Sequence, residues 1–158
     1  MAPVIYSIGH SNHAPARFQA LLQQHGINQL ADLRSVPASR YAPHFNRAAL
    51  QAALARAGIA YRWFGETLGG KPRAAEPDFR RGIAALMAWV EQGTEQGATA
   101  MMCAEADPWQ CHRTHLVTPA LLLCGGSVVH IQPEGVLLSH DALQHEKSAA
   151  PPQLDLFR

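Results

Sequence analysis

Apolar positions along the chain fall into two kinds of pattern. Short, nearly continuous apolar runs occur at Val4–Ile8, Ile27–Leu33, Ile59–Trp63, Ala98–Cys103 and Ser127–Ile131. Such runs predict strands covered on both faces. Between them the apolar residues recur at three and four. Phe18, Leu21, Leu22 and His25 share one face of a helix that Pro15 can open and Gly26 can close. Asn46 is placed to cap a second helix, Arg47–Ala57, closed by Gly58. Phe79, Ile83, Leu86 and Val90 line a third, Pro77–Gln92. A fourth starts near Cys111 and is expected to bend at Pro119, where the backbone lacks a donor. Phe64 to Glu76 reads as a loop. A short Gly135–Leu138 segment and a helix at Ser139–Glu146 follow the last strand. The alternation predicts a three-layer α/β/α fold with a mainly parallel sheet of about five strands.

The length of 158 residues suits one domain, taken as 1–146, with 147–158 as a flexible C-terminal tail. Apolar residues are 47% and charged residues 16%, which excludes a chain disordered throughout. No apolar run approaches the ~20 residues that span a bilayer. The opening MAPVIYSIGH has no basic stretch followed by a long apolar one. A cytoplasmic protein without a membrane partner is the expectation. Net charge is only +1, yet Arg34, Arg40, Arg47, Arg56 and Arg62 lie between Leu33 and Gly65 with no carboxylate among them. Guanidinium forks match phosphate geometry, which suggests an anion-binding face; a general bias toward arginine explains the same count. Three cysteines, an odd number, fit no disulfide framework.

In an open parallel sheet, ligands bind beyond the carboxyl ends of the strands. Four loops leave such ends: Gly9-His10-Ser11, Asp32-Leu33-Arg34-Ser35, the glycine-rich Glu66–Lys71, and Cys103-Ala104-Glu105. The densest cluster is Cys103-x-Glu105-x5-Cys111-His112-Arg113. A cysteine opening a helix can be held as a thiolate by the helix dipole and nearby cations, so the pair could be a nucleophile or a redox couple. A structural reading makes Cys103 a small buried hydrophobe and pairs Arg113 with Glu105. Metal comes last, because C-x7-C-H matches no common zinc spacing, and no metal site is expected. Cys103, Glu105, Cys111 and Asp32 are the candidates nearest the chemistry. His10, Ser11, Arg34, Ser35, Arg40, Asn46, His112 and Arg113 are the candidates for holding an anion. Asp32 and Arg34 leave one strand on the same face. Tyr41, His44 and Phe45 interleave with these arginines, an arrangement suited to nucleic acid. Gly69-Gly70-Lys71 could cradle an anion, but neither a P-loop nor a G-x-G-x-x-G fingerprint is present. No cofactor is identified.

Ile8-Gly9-His10-Ser11, Asp32-Leu33-Arg34-Ser35-Val36-Pro37-Ala38-Ser39-Arg40, Phe45-Asn46, Leu68-Gly69-Gly70, Cys103-Ala104-Glu105 and Cys111-His112-Arg113 occur in this order. Together they resemble domain-of-unknown-function family 488 (DUF 488). The resemblance implies an α/β domain of the bacterial cytoplasm and no particular reaction; Thr114 supplies the hydroxyl residue common after Cys-His-Arg. Near the end, Gln153-Leu154-Asp155-Leu156-Phe157 resembles the peptide by which bacterial DNA polymerases and repair proteins dock on the sliding clamp. Leu154, Leu156 and Phe157 would fill an apolar groove and Gln153 a polar subsite. The same residues could instead anchor the chain end on its own domain. The expectation is a DNA-associated accessory protein of replication or repair, binding or processing a nucleic acid or nucleotide-like anion. The alternatives are a cysteine-dependent small-molecule enzyme and a non-catalytic binding adaptor; whether the chain is an enzyme stays open.

Overall fold

The computed structural model describes residues 2–149. The candidate clamp-binding residues Gln153, Leu154, Leu156 and Phe157 lie outside the described residues. Six strands form one sheet: β1 (Val4–Gly9), β2 (Ile27–Asp32), β3 (Ala60–Trp63), β4 (Ala98–Cys103), β5 (Ser127–Ile131) and β6 (Leu137–Ser139). Their order is β3-β2-β4-β1-β5-β6. The five expected strands are there, and every pairing among them is parallel. The segment after Ile131 adds β6, antiparallel to β5 at the sheet edge.

The connecting helices are α1 (Pro15–Gln24), α2 (Arg47–Arg56), α3 (Gly65–Leu68), α4 (Glu76–Gly93), α5 (Thr118–Leu123) and α6 (His140–Ala149). Strand pleat sends alternate side chains to opposite faces, and this splits the core in two. Ile8, Leu30, Ala100 and Met102 pack with Phe18, Leu21 and Leu22 of α1 and Leu50 and Leu54 of α2. Ile5, Ala31, Met101 and Val128 pack on the other face with Ile83, Leu86 and Val90 of α4 and Leu121 of α5. Helices on both faces make the three layers.

Several local expectations need correction. The loop Phe64–Glu76 contains the single-turn helix α3, closed by Leu68 N–H and Gly69 N–H bonding to Phe64 and Gly65. Asn46 sits at the start of α2 but does not cap it with its side chain; its Oδ1 accepts from Ser39 N–H at 2.7 Å and ties down the preceding loop instead. The chain after Cys111 does not enter an α-helix directly. It makes a π turn over Arg113–Val117 and becomes α-helical at Thr118. Pro119 has no N–H to continue the ladder, and Thr118 N–H reaches back to Arg113 C=O. The last helix runs to Ala149, three residues past its expected end at Glu146.

Candidate active site

The central strand β4 has β2 on one side and β1 on the other. The chain leaves β1 and β2 toward the face carrying α1 and α2, and leaves β4 toward the face carrying α5. The loops therefore diverge around the end of β4, which is where an open parallel sheet places its ligands. A cavity of about 580 Å³ lies there, walled by His10, Arg34, Ser35, Cys103, Glu105, Cys111 and His112 among others. Val36, Ala38 and Ser39 come from the arginine loop, and Gly70 and Lys71 from the glycine-rich loop.

Close backbone approach builds the cavity. His10 N–H bonds to Cys103 C=O at 2.9 Å and Ser11 N–H to Ala104 C=O at 2.8 Å, so the β1–β4 pairing continues past the strands. Gly9 faces Glu105 so tightly that an added Cβ would lie 1.8 Å from its carbonyl oxygen. Gly70 packs on the His112 ring, leaving 3.0 Å for a Cβ. Lys71 N–H donates to Ser35 Oγ and closes the glycine-rich loop onto the arginine loop.

Two polar systems converge on this cavity. The first lies under its floor on the α1/α2 side. Asp32, expected near the chemistry, is fully buried and outside the cavity wall. Its carboxylate accepts from Arg34 N–H, Arg34 Nε and Nη2, and Tyr61 Oη. That saturates the carboxylate and fixes Arg34 as a bidentate partner. Burial, and then the bond to Asp32, push the Tyr61 phenol above its ordinary range. Arg34 also donates to Phe45 C=O at 2.8 Å and to His10 Nε2 at 3.4 Å. His10 gives its Nδ1–H to Ser11 C=O and stacks on Phe45. Burial holds its pKa below the usual histidine value, which favours the neutral ring.

The second system carries the thiols. The Sγ atoms of Cys103 and Cys111 and a ring nitrogen of His112 all lie within 4.8 Å of one another. His112 Nε2 is 3.0 Å from Leu68 C=O. A carbonyl can only accept, so Nε2 carries the hydrogen, and Nδ1, whose lone pair is exposed in that tautomer, faces the sulfurs. Nδ1 is 3.7 Å from Cys103 Sγ and 3.8 Å from Cys111 Sγ. Behind them Arg113 is buried, its Nε donating to Ser7 Oγ and its Nη1 to Glu105 C=O, both at 2.8 Å. Glu105 thus meets Arg113 through its backbone; its carboxylate makes no ion pair with it. Among the described residues no carboxylate lies within ion-pair distance of Arg113. The adjacent Cys103 thiol, and after it the Arg113 charge, hold Cys111 well below the ordinary thiol range. Cys103 is pushed up for the complementary reason, with burial adding to it.

Of the residues expected to hold an anion, His10, Arg34, Ser35 and His112 wall the cavity. Ser11, Arg40, Asn46 and Arg113 do not. Ser11 serves the turn, with φ of 47°; Asn46 ties its loop; Arg40 is exposed. Sequence reasoning passed over Ser7, His130 and His140. Ser7 Oγ, having accepted from Arg113, donates to His130 Nδ1 at 2.9 Å, and His130 Nε2 lies 3.3 Å from His140 Nδ1. A polar residue inside each of two otherwise apolar runs, Ser7 in β1 and His130 in β5, was the available signal, because a buried polar group needs a partner.

A protein-family model described as "Domain of unknown function DUF488" matches residues 14–83 and 72–119. The matched stretch contains Arg34, Cys103, Glu105, Cys111, His112 and Arg113. No curated protein and no solved structure matches the chain.

Proposed function

Because the chain belongs to the DUF488 family, whose description carries no activity, we propose its function from the site itself: a cysteine-dependent enzyme acting on a small anionic substrate, with the Cys111 thiolate as nucleophile. One observation carries the reading. Arg113 is a buried cation whose hydrogen bonds go to neutral oxygens and which has no carboxylate partner among the described residues. An isolated buried charge costs several kcal/mol. A thiolate at Cys111 offsets that cost and is reactive by the same stroke. Cys103 stands beside it, and His112 Nδ1, 3.7 and 3.8 Å from the two sulfurs, is placed to take or return a proton there. Lys71 and Arg34 on the wall favour an anion. The cavity size suits a small molecule.

Alkylation of the chelator-treated protein near neutral pH tests this. Cys124 is exposed and Cys111 is buried, so accessibility alone favours Cys124. The expected result is that iodoacetate labels Cys111 faster, by roughly tenfold or more. Arg113→Met should remove the difference. Preferential labelling of Cys124 in the native chain overturns the reading.

A second reading, an accessory role in DNA replication or repair, rests on the sequence Gln153-Leu154-Asp155-Leu156-Phe157 and its likeness to sliding-clamp peptides. Arg40 and Tyr41, both exposed on the loop that walls the cavity, are compatible with a nucleic-acid or nucleotide-like ligand. The two readings are not exclusive.

A further inference from the structure

Cys103, Cys111 and His112 bring two sulfurs and one nitrogen to a point that opens on the cavity. We propose that these three side chains bind a zinc ion, with the fourth coordination position turned toward the cavity and filled by an anion. This goes beyond the nucleophile reading, since zinc engages the sulfur that would otherwise attack.

Distance is the first support. Zinc holds sulfur at about 2.3 Å and nitrogen at about 2.0–2.1 Å, which in a tetrahedron separates S and N donors by roughly 3.5–3.6 Å. The two S···N separations here are 3.7 and 3.8 Å, and all three donors lie within 4.8 Å of one another, so the sulfurs, which a tetrahedral site sets roughly 3.8 Å apart, need approach by no more than about 1 Å to close the shell. Ring orientation is the second. A zinc-bound histidine commonly donates its other N–H to a carbonyl or carboxylate, which fixes the tautomer. His112 makes that bond to Leu68 C=O, and Gly70 lets the glycine-rich loop press against the ring. Softness is the third. Two thiolates and an imidazole select zinc over magnesium or calcium. The chain spacing C-x7-C-H hides this set, because the 3-10 turn Pro108–Gln110 brings Cys111 back to the end of β4.

Charge fixes the fourth ligand. On binding, Cys103 releases its thiol proton to solvent, leaving two thiolates that neutralise Zn²⁺. The Arg113 guanidinium behind them is then left without a counter-charge. A hydroxide or a small anion entering from the cavity supplies it. The zinc form is therefore a masked state of the site, and chelation frees the Cys111 thiolate.

The full chain, stripped with chelator, is titrated with Zn²⁺ against a chromogenic chelator and with Co²⁺ by absorption. One ion per chain is expected, with a sulfur-to-cobalt charge-transfer band. Cys111→Ser and His112→Ala should each weaken binding by more than about tenfold, and Cys124→Ser should leave it unchanged. Should the ligand variants not fold, a second measurement uses the native protein: Zn²⁺ should protect Cys111 from alkylation and chelator should restore it. Absence of one-to-one binding, no protection, or loss of binding on Cys124→Ser overturns the proposal. Zinc binding without Cys111 reactivity in the stripped protein would instead remove the nucleophile reading and leave the metal site standing.

Discussion

Gly9 is where one atom decides the geometry of the site. A methyl group there would sit within bonding distance of Glu105 C=O, and that carbonyl accepts from Arg113 Nη1. Gly9→Ala must therefore push the loop after β4 away from β1. Overpacking of this kind costs typically 1–3 kcal/mol. We expect a loss of about 2–3 kcal/mol in urea unfolding, together with slower alkylation of Cys111 as Arg113 loses its anchor. Unchanged stability would mean that the loop yields freely and that the close approach is not structural. The resemblance motif contains Gly9 and names its neighbours, but it does not say what the glycine touches. Asp32 makes the same point in reverse. Its strand position correctly predicts that it shares a face with Arg34, and the ion pair forms at 2.8 Å. Its four hydrogen bonds make it a support for Arg34, and Tyr61, which completes them, comes from β3.

At the scale of elements, β5 and α6 meet through His130 and His140, both buried. Burial, helped by the Arg113 charge and by His140, lowers His130 from 6.5 to about 4; burial lowers His140 also. The folded state thus refuses a proton that the unfolded chain accepts between about pH 4 and 6.5. The stability from His130 is fully present above pH 6.5 and is lost as pH falls toward 4, by roughly 3 kcal/mol over the window. Urea midpoints across that window should fall with acidification, and His130→Gln should flatten the fall. An equal slope in the variant would show that carboxylates elsewhere set the acid limit. Apolar spacing located α1 and α4 because each buries one face, and the Asn46 and Gly58 boundaries located α2. The spacing missed α3, a single turn with too few residues for a period, and the π turn before α5, where Pro119 and Thr118 shift the hydrogen bonding by one residue.

For the molecule as a whole, the parallel sheet delivers four loops to one end, while any clamp-binding segment belongs to the tail expected at 147–158. Fully burying Leu154, Leu156 and Phe157 in a partner's groove is worth about 1.5–3 kcal/mol each. Ordering the peptide offsets part of this, which leaves affinity of about micromolar strength. The full chain should bind a bacterial sliding clamp and be displaced by a known clamp peptide. Leu156→Ala with Phe157→Ala should abolish binding without changing the melting temperature. A lowered melting temperature, with no clamp binding by the unsubstituted chain, makes these residues an anchor on their own domain. Among the described residues no helix is long and apolar enough to cross a membrane.

The linear order of apolar and polar residues was enough to determine the layers, the five parallel strands and the end of the sheet that carries Cys103 and Arg34, because burial periodicity and strand-end topology are local or general. It was also enough to single out Cys103, Cys111, His112 and Arg113, through their density in one short stretch. The tertiary structure alone decided what these residues do to one another. Leu68 C=O, far along the chain, turns the His112 lone pair onto the sulfurs. Ser7, from the first strand, holds Arg113 under Cys111. The reason is physical: a thiol's proton and a buried cation's counter-charge are set by groups within a few ångströms in space, and those groups come from strands and loops that the sheet, not the sequence, makes neighbours.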